Sequence, residues 1–163
     1  MKTLLIFRHA KTQPDAPNGD HARQLTKRGL QDAAAMAAYV RSRVGTPNAI
    51  ITSDARRALQ TAQIVADGVV FTASPTIEPR IYGAGLETLI EVIRDLPAES
   101  DCVVLVGHNP GLEVLAAALT GQPELVRLPT SAVAHVQFET PNWTAITPGS
   151  GQLKEVATRH TIA

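Results

Sequence analysis

Three short stretches of the chain place basic or imidazole side chains directly after apolar runs. Arg8 and His9 follow "LLIF", Arg56 and Arg57 follow "AIITSDA", and His108 follows "VVLVG". A guanidinium group can hold two phosphoryl oxygens at once, and an unprotonated imidazole nitrogen can attack phosphorus. These residue types together favour the binding of a phosphate group and its transfer to a histidine.

The apolar runs are typical of strands that are covered on both faces. Residues 3–7, 49–53 and 102–107 are short, unbroken and rich in aliphatic side chains. Apolar residues that recur every three or four positions predict helices after Thr26, over 55–66, over 85–97 and over 109–121. Alternating residues at 132–139 and 151–160 predict an edge hairpin. The sequence therefore predicts an α/β fold of three layers (α/β/α), with helices on both faces of a mostly parallel sheet.

Two of the predicted helices carry signals at their first residues. Thr26 is the expected N-cap of the first helix. Asn109 is the expected N-cap of the last one, with Pro110 at its first helical position. In the first helix, one apolar stripe is expected to face the core, formed by Leu30, Ala33, Ala37, Val40 and Val44.

The predicted sheet would bring the three basic stretches together. Parallel strands end at one edge, which is where α/β proteins bind ligands, and the N-termini of the following helices add positive charge there. His9 would be held rigidly at a strand end, and nearby arginines would lower its pKa, which leaves one ring nitrogen unprotonated. We therefore expect His9 to form a phosphohistidine intermediate that water then hydrolyses.

Length and composition narrow the setting of this chemistry. The 163 residues fit a single catalytic domain over 1–163. Lysine plus arginine equal aspartate plus glutamate at 15 each, which disfavours nucleic acid and anionic membranes as partners. Cys102 is the one cysteine and is expected to be a small buried residue, so disulfides within the chain are excluded. No apolar run is long enough for a signal or membrane segment, and we expect a cytoplasmic, monomeric protein.

The same stretches resemble the motifs of a known family, the histidine phosphatase superfamily. "RHA" resembles its R-H-G signature, "SDARRALQTA" resembles its S-P-x-x-R-A-x-Q-T-A signature, and "VGHNP" resembles its late G-H motif. Together with "LTKRG" and the "TSA" at 130–132, they extend the resemblance from Leu4 to about Ala134. Order, spacing and length are most similar to the short SixA-type phosphohistidine phosphatases, which implies a phosphoglycerate-mutase-like fold.

The resemblance implies roles for four residues. His9 would be the phosphate acceptor, and Arg8, Arg57 and His108 would complete the catalytic, phosphate-binding pocket. Arg57 is preferred to Arg56 because it occupies the place of the family's arginine, directly before "ALQTA".

The chain also departs from the family pattern at three points. Ala10 replaces a glycine, and Asp54 replaces a proline, which predicts a less rigid loop. Many members carry an acid that protonates an alcohol leaving group, but "SPTIEPRIYGAGLET" shows no matching motif, which leaves Glu78 and Glu87 as candidates. Because an alkoxide needs such a proton more than imidazole does, phosphohistidine on a protein is the first expectation. A small phosphate monoester is the alternative.

A different class of function is a binding module that recognises phosphorylated partners without turnover. Such a module needs the arginines but not His9, so the presence of both motif histidines favours an enzyme. A nucleotide-binding function is weaker still, because no glycine-rich phosphate loop follows the first strand.

Other polar residues have smaller expected roles. The mouth of the pocket is a possible place for five of them: Lys11, Asp20, Arg23, Thr130 and Ser131. The polar loop 13–24 is expected to contact the partner. Three histidines are expected not to be catalytic: His21, His135 and His160. Neither a metal nor another cofactor is expected, because no close ligand set appears and two arginines would repel a cation.

Overall fold

Strands and helices alternate along the chain in a computed structural model that describes residues 1–162. The strands are β1 (Lys2–Arg8), β2 (Ala49–Thr52), β3 (Thr76–Ile77), β4 (Cys102–Gly107), β5 (Val133–Phe138) and β6 (Gly151–Ala157). The α-helices are α1 (Lys27–Val44), α2 (Arg56–Gly68), α3 (Leu86–Arg94) and α4 (Gly111–Thr120). β3 was not predicted, because two exposed residues are too few to produce a periodic pattern.

The strands form one sheet in the order β3-β2-β4-β1-β5-β6. The first four are parallel, whereas β5 pairs antiparallel with β1, and β6 pairs antiparallel with β5. The predicted hairpin is therefore present as β5 and β6, but of these two strands only β6 lies at an edge of the sheet. In the register, Val106 of β4 pairs with Thr52 of β2 on one side and with Phe7 of β1 on the other. The carboxyl ends of these three strands are therefore level.

The helices cover both faces of the sheet, and the fold-class prediction is confirmed. Side chains of β1 alternate between the layers: Leu4 and Ile6 pack in the cluster that includes α3 and α4, and Leu5 and Phe7 pack in the cluster of α1 and α2. Fully burying each such side chain contributes about 1.5–3 kcal/mol. The strand that carries His9 at its end is therefore fixed from both faces.

The predicted N-cap is confirmed for α1 and is wrong for α4. The Thr26 hydroxyl accepts a hydrogen bond from the Gly29 N–H at 3.0 Å, which confirms it as the N-cap of α1. The prediction for Asn109 was wrong, because α4 begins at Gly111 with Pro110 in the cap position. The Asn109 amide instead donates to the carbonyl of Leu128 at 2.8 Å and holds a neighbouring loop.

One member of the predicted apolar stripe of α1 does not face the core. Leu30 is 43% exposed, whereas Ala33, Ala37 and Val40 are buried. The first turn of α1 packs through Gly29 against the backbone of Lys11, where an added Cβ would lie 2.1 Å from the carbonyl oxygen. With glycine in the inward position, the next residue turns outward.

The structure also bears on two further predictions, one for Cys102 and one for membrane segments. Cys102 is only partly buried at the start of β4, and burial raises the pKa of its thiol to about 11. Within residues 1–162, none of the helices combines the length and the hydropathy that a membrane crossing requires.

Candidate active site

The carboxyl edge of β1, β2 and β4 gathers His9, Arg57 and His108. His9 and Arg57 are each only 5% exposed. The rings of His9 and His108 lie 5.2 Å apart, and Arg57 Nε lies 3.4 Å from His9 Nε2. Arg8 ends β1 at the same rim, where its Nη1 donates to the Leu128 carbonyl at 3.0 Å. The structure therefore places all four predicted residues at one edge of the sheet.

The backbone and the ring of His9 are both fixed. Its N–H donates to the Gly107 carbonyl at 3.1 Å, and its own carbonyl accepts from the N–H of Ser131 at 3.0 Å. Ring atom Nδ1 lies 2.8 Å from the Ala10 carbonyl oxygen. Because a carbonyl only accepts hydrogen bonds, Nδ1 must carry the proton, and the lone pair is on Nε2.

His9 stays neutral because of its surroundings. Burial, helped by the nearby charges of His108, Arg57 and Arg8, lowers the pKa of His9 to about 3. At neutral pH, Nε2 therefore keeps the electron pair that a nucleophile requires. Arg57 Nε points its N–H at this atom, which places a guanidinium beside any group that Nε2 attacks.

Arg57 is held in the first turn of α2. Its backbone carbonyl accepts a hydrogen bond from the Thr61 hydroxyl at 2.8 Å, and Thr61 Oγ1 in turn accepts from the N–H of Ala10 at 3.1 Å. Thr61 therefore ties the Arg57 turn to the residue after His9. At the other end of the side chain, Nη1 and Nη2 donate to the backbone and carboxylate oxygens of Asp20 at 2.9 and 3.2 Å. Arg56, by contrast, is exposed.

His108 is oriented by Ser53. Its Nε2 lies 2.7 Å from Ser53 Oγ, which also accepts a hydrogen bond from the N–H of Ala55 at 3.2 Å. The serine hydrogen is then available for His108 Nε2, which would leave the ring proton on Nδ1. His108 Nδ1 is buried and has no hydrogen-bond partner within residues 1–162. Burial and the charge of Arg57 lower the pKa of His108 to about 4.

A second buried donor lies at the same rim. Arg8 Nε has no hydrogen-bond partner among the residues that the structure describes. Buried N–H groups are rarely left unpaired in proteins. With His108 Nδ1, it gives the pocket two donors that an anion could satisfy.

The mouth of the pocket is formed by Asp20 and Tyr82. The Tyr82 hydroxyl donates to Asp20 Oδ2 at 2.6 Å, and Arg23 Nε donates to Oδ1 at 3.0 Å. The Tyr82 ring contacts two imidazoles edge-on, those of His108 and His21, with centroids 5.6 and 4.8 Å away. Tyr82 was not predicted as a site residue, because a single tyrosine in a loop has no spacing that marks it.

The other residues expected at the mouth differ in their positions. Lys11 is exposed, and its carbonyl holds the first turn of α1. Thr130 is partly buried, and Ser131 is fully buried next to His9, with a left-handed backbone angle φ of 64°. His21 reaches the mouth, where its Nε2 lies 3.0 Å from Asp54 Oδ1. The remaining two histidines lie elsewhere. His135 is in β5, where it pairs with Leu5 of β1, and His160 is on the surface after β6.

The two candidate acids are not part of this cluster. Glu78 accepts two hydrogen bonds from Arg80 at 2.8 and 2.6 Å, which lower the pKa of its carboxyl. Glu87 is exposed in the first turn of α3. In the described part of the chain, neither carboxylate is hydrogen-bonded to His9, Arg57 or His108. Residues 1–162 also contain no group of His, Cys, Asp and Glu that could hold a metal ion.

An apolar cavity of about 220 Å³ adjoins His108. It lies between the first turns of α3 and α4, with Leu86, Leu89, Leu112 and Val114 in its lining. The polar cluster of His9, Arg57 and His108 therefore has an apolar neighbour on the side of His108.

Comparison with known proteins agrees with this geometry. A family model described as the histidine phosphatase superfamily (branch 1) matches residues 4–84. An uncharacterized protein of Mycobacterium leprae is 30% identical over 142 residues, which cover 78% of this chain and 84% of that protein.

Solved structures share the fold. The SixA-type protein of Agrobacterium tumefaciens is 27% identical, with a TM-score of 0.79 over 96% of this chain and 97% of that chain. The protein histidine phosphatase SixA in complex with tungstate is 22% identical, with a TM-score of 0.85 over 99% of both chains. The fold is therefore that of phosphoglycerate-mutase-like proteins, and the chain belongs to the histidine phosphatase superfamily.

Proposed function

We propose that this chain is a phosphatase that works through a phosphohistidine intermediate on His9, and that its substrate is phosphohistidine on a protein. One observation carries the proposal. A buried, neutral His9 presents the lone pair of Nε2 beside the Arg57 guanidinium, and the described residues place no protonated carboxyl group at the pocket, since Asp20 at its mouth is ionised and Glu78 is bound to Arg80.

The first step is attack by His9 Nε2 on the phosphorus of the bound phosphoryl group. The substrate ring carries a proton on its other nitrogen. The bond from phosphorus to the leaving nitrogen breaks, its electron pair goes to that nitrogen, and the imidazole leaves as a neutral molecule. The Nδ1 proton stays on His9 and is held by the Ala10 carbonyl. Arg8, Arg57 and His108 would hold the phosphoryl oxygens and stabilise their charge in the transition state.

The second step returns the enzyme to its starting state. Water attacks the phosphorus of phosphorylated His9, the P–N bond breaks, and its electron pair returns to Nε2. The phosphate leaves with the oxygen and both protons of the water. His9 is then neutral again, with its proton on Nδ1.

The choice of substrate follows from the carboxylates. An alkoxide leaves slowly at neutral pH unless an acid protonates it, whereas an imidazole leaves as a neutral molecule. Glu78 is bound to Arg80 and Glu87 is exposed on α3. Asp20 is ion-paired with Arg57, and the hydrogen bond from Tyr82 lowers its pKa to about 2. A site of this kind suits a P–N bond better than a phosphoserine.

The similarity to the SixA structures supports the same choice. Tungstate, which is present in one of them, is a tetrahedral oxyanion like phosphate. The two buried donors at Arg8 Nε and His108 Nδ1 are suited to such an anion.

The test is phosphate release from a phosphohistidine peptide and from a phosphoserine peptide, measured side by side. We expect fast release from phosphohistidine that His9→Ala abolishes, while inorganic phosphate binding largely persists. Arg57→Ala should weaken both binding and turnover, because the guanidinium serves the ground state and the transition state. His160→Ala, a change of an exposed histidine, is the matched control and should leave both unchanged.

Each other outcome points to a different function. Near-normal turnover by His9→Ala would refute the nucleophile. Release from phosphoserine at a comparable rate would mean that an acid reaches the leaving group and that the enzyme acts on phosphate monoesters. Tight phosphate binding without any turnover would indicate a binding module.

A further inference from the structure

We propose that Asp20 and Tyr82 form a subsite for the imidazole that leaves from a phosphohistidine substrate. In this subsite, the Asp20 carboxylate accepts a hydrogen bond from the N–H of the substrate ring, and the ring packs against Tyr82. The inference rests on the proposed function and concerns the part of the substrate outside the phosphate pocket.

The position of Asp20 is the first argument. Arg57 touches His9 through Nε at 3.4 Å and touches Asp20 through Nη1 and Nη2 at 2.9 and 3.2 Å. Asp20 therefore lies across the guanidinium from His9. In phosphoryl transfer, the attacking and leaving atoms lie on opposite sides of the phosphorus. A phosphoryl group held by Arg57 and attacked by His9 would direct its leaving group toward Asp20.

The anchoring of Asp20 is the second argument. Phosphoryl oxygens that bind Arg57 would displace the carboxylate from Nη2. Asp20 would still accept hydrogen bonds from the Tyr82 hydroxyl at 2.6 Å and from Arg23 Nε at 3.0 Å. The side chain is 54% exposed, so a substrate can reach it. The carboxylate would stay in place with a free acceptor position.

The surface of Tyr82 is the third argument. Tyr82 is 38% exposed, and its ring already packs edge-on against two imidazoles, those of His108 and His21. Aromatic rings favour such edge-to-face contacts. A third imidazole from the substrate would find the same kind of surface at the point where it leaves the pocket.

The charge of Asp20 would give this subsite its selectivity. The hydrogen bond from Tyr82 and the charge of Arg57 lower the pKa of Asp20 to about 2, so the carboxylate is ionised at neutral pH. An ionised carboxylate has no proton for an alkoxide and repels its charge. It does stabilise a proton on the second nitrogen of the substrate imidazole. That proton stays on the ring while the P–N electron pair moves to the first nitrogen, so neutral imidazole leaves.

The experiment compares two substrates that differ in the leaving group. A phosphohistidine peptide with a protonated ring offers an N–H on the nitrogen that does not carry the phosphoryl group, whereas acetyl phosphate has neither a ring nor an N–H and needs no acid. We would measure kcat and KM for both substrates with the wild-type protein, Asp20→Asn and Tyr82→Leu. Glu99→Gln, which changes an exposed carboxylate before the start of β4, at the opposite edge of the sheet, is the control.

For Asp20→Asn, we expect kcat/KM for phosphohistidine to fall at least tenfold more than for acetyl phosphate, or about 1.4 kcal/mol. Tyr82→Leu should raise KM for the peptide selectively, and Glu99→Gln should change the turnover of neither substrate. An equal loss for both substrates, or no loss, would overturn the subsite, because Asp20 would then act through Arg57 or not at all. If the wild-type protein hydrolyses acetyl phosphate but not phosphohistidine, the proposed function fails and this subsite with it.

Discussion

The buried, neutral state of His9 makes the stability of the fold depend on pH. The ordinary pKa of a histidine is 6.5, and burial lowers the pKa of His9 to about 3 in the folded protein. Between these values the unfolded chain binds a proton at His9 that the native state does not bind. The stability that His9 contributes is therefore complete above about pH 6.5 and is lost as the pH falls toward 3.

The size of this effect follows from the two pKa values. One pKa unit corresponds to about 1.4 kcal/mol, so acidification from pH 7 to about pH 4.5 should cost the native state roughly 2–3 kcal/mol through His9. His108, whose pKa is lowered to about 4, adds a loss of the same sign. The pKa of Asp20 is lowered to about 2, so the stability that Asp20 contributes is lost only below the ordinary pKa of a carboxyl group. Asp20 therefore does not affect the comparison between the two pH values.

Urea denaturation at the two pH values would measure this effect in the wild-type protein, in His9→Ala and in the control His160→Ala. We expect the free energy of unfolding to fall by roughly 2–3 kcal/mol more in the wild type than in His9→Ala, with the control like the wild type. Equal losses in wild type and His9→Ala would show that His9 is not held neutral, and the reasoning about its lone pair would fail.

Three further substitutions test the supports of the site and the fold. Ser53→Ala removes the hydroxyl that orients the second pocket histidine, and kcat should fall roughly two- to tenfold in the phosphate-release assay without loss of fold. Thr61→Val leaves the buried N–H of Ala10 without its acceptor, which should cost roughly 1–3 kcal/mol in urea denaturation. Gly29→Ala would bring a Cβ to 2.1 Å from the Lys11 carbonyl oxygen, and thermal denaturation should show a loss of roughly 1–3 kcal/mol. Unchanged kcat or unchanged stability would contradict the respective contact.

The sequence was sufficient to predict the helices and strands whose buried residues form a long, regular pattern. β4 spans 102–107 as predicted, and α1 begins after Thr26, because continuous burial and a side-chain cap both leave local signals. Asn109 gave a misleading signal, since its amide donates to Leu128, a residue 19 positions away. A contact of that range is not visible in a local pattern, so the start of α4 was placed too early.

The same distinction applies to the site. His9 and His108 each follow a strand directly, so a prediction of the strands also places the two imidazoles. Asp20 and Tyr82 come from two loops 62 positions apart, and their contact depends on how both loops fold over the edge of the sheet. Loop conformations of this kind have no period to read, which is why Asp20 was only a possible mouth residue and Tyr82 was not considered.

The strand order explains why an acidic loop residue belongs to a phosphate site. β1 pairs directly with β4, and β4 pairs with β2, so the residues that follow these strands share one rim. That arrangement buries the Arg57 side chain beside two imidazoles that cannot offset its charge. A buried cation is costly without a partner, and Asp20 supplies one. Because Asp20 approaches from the solvent side, a phosphoryl group can take its place on Arg57 while the carboxylate remains at the mouth, where the leaving group emerges.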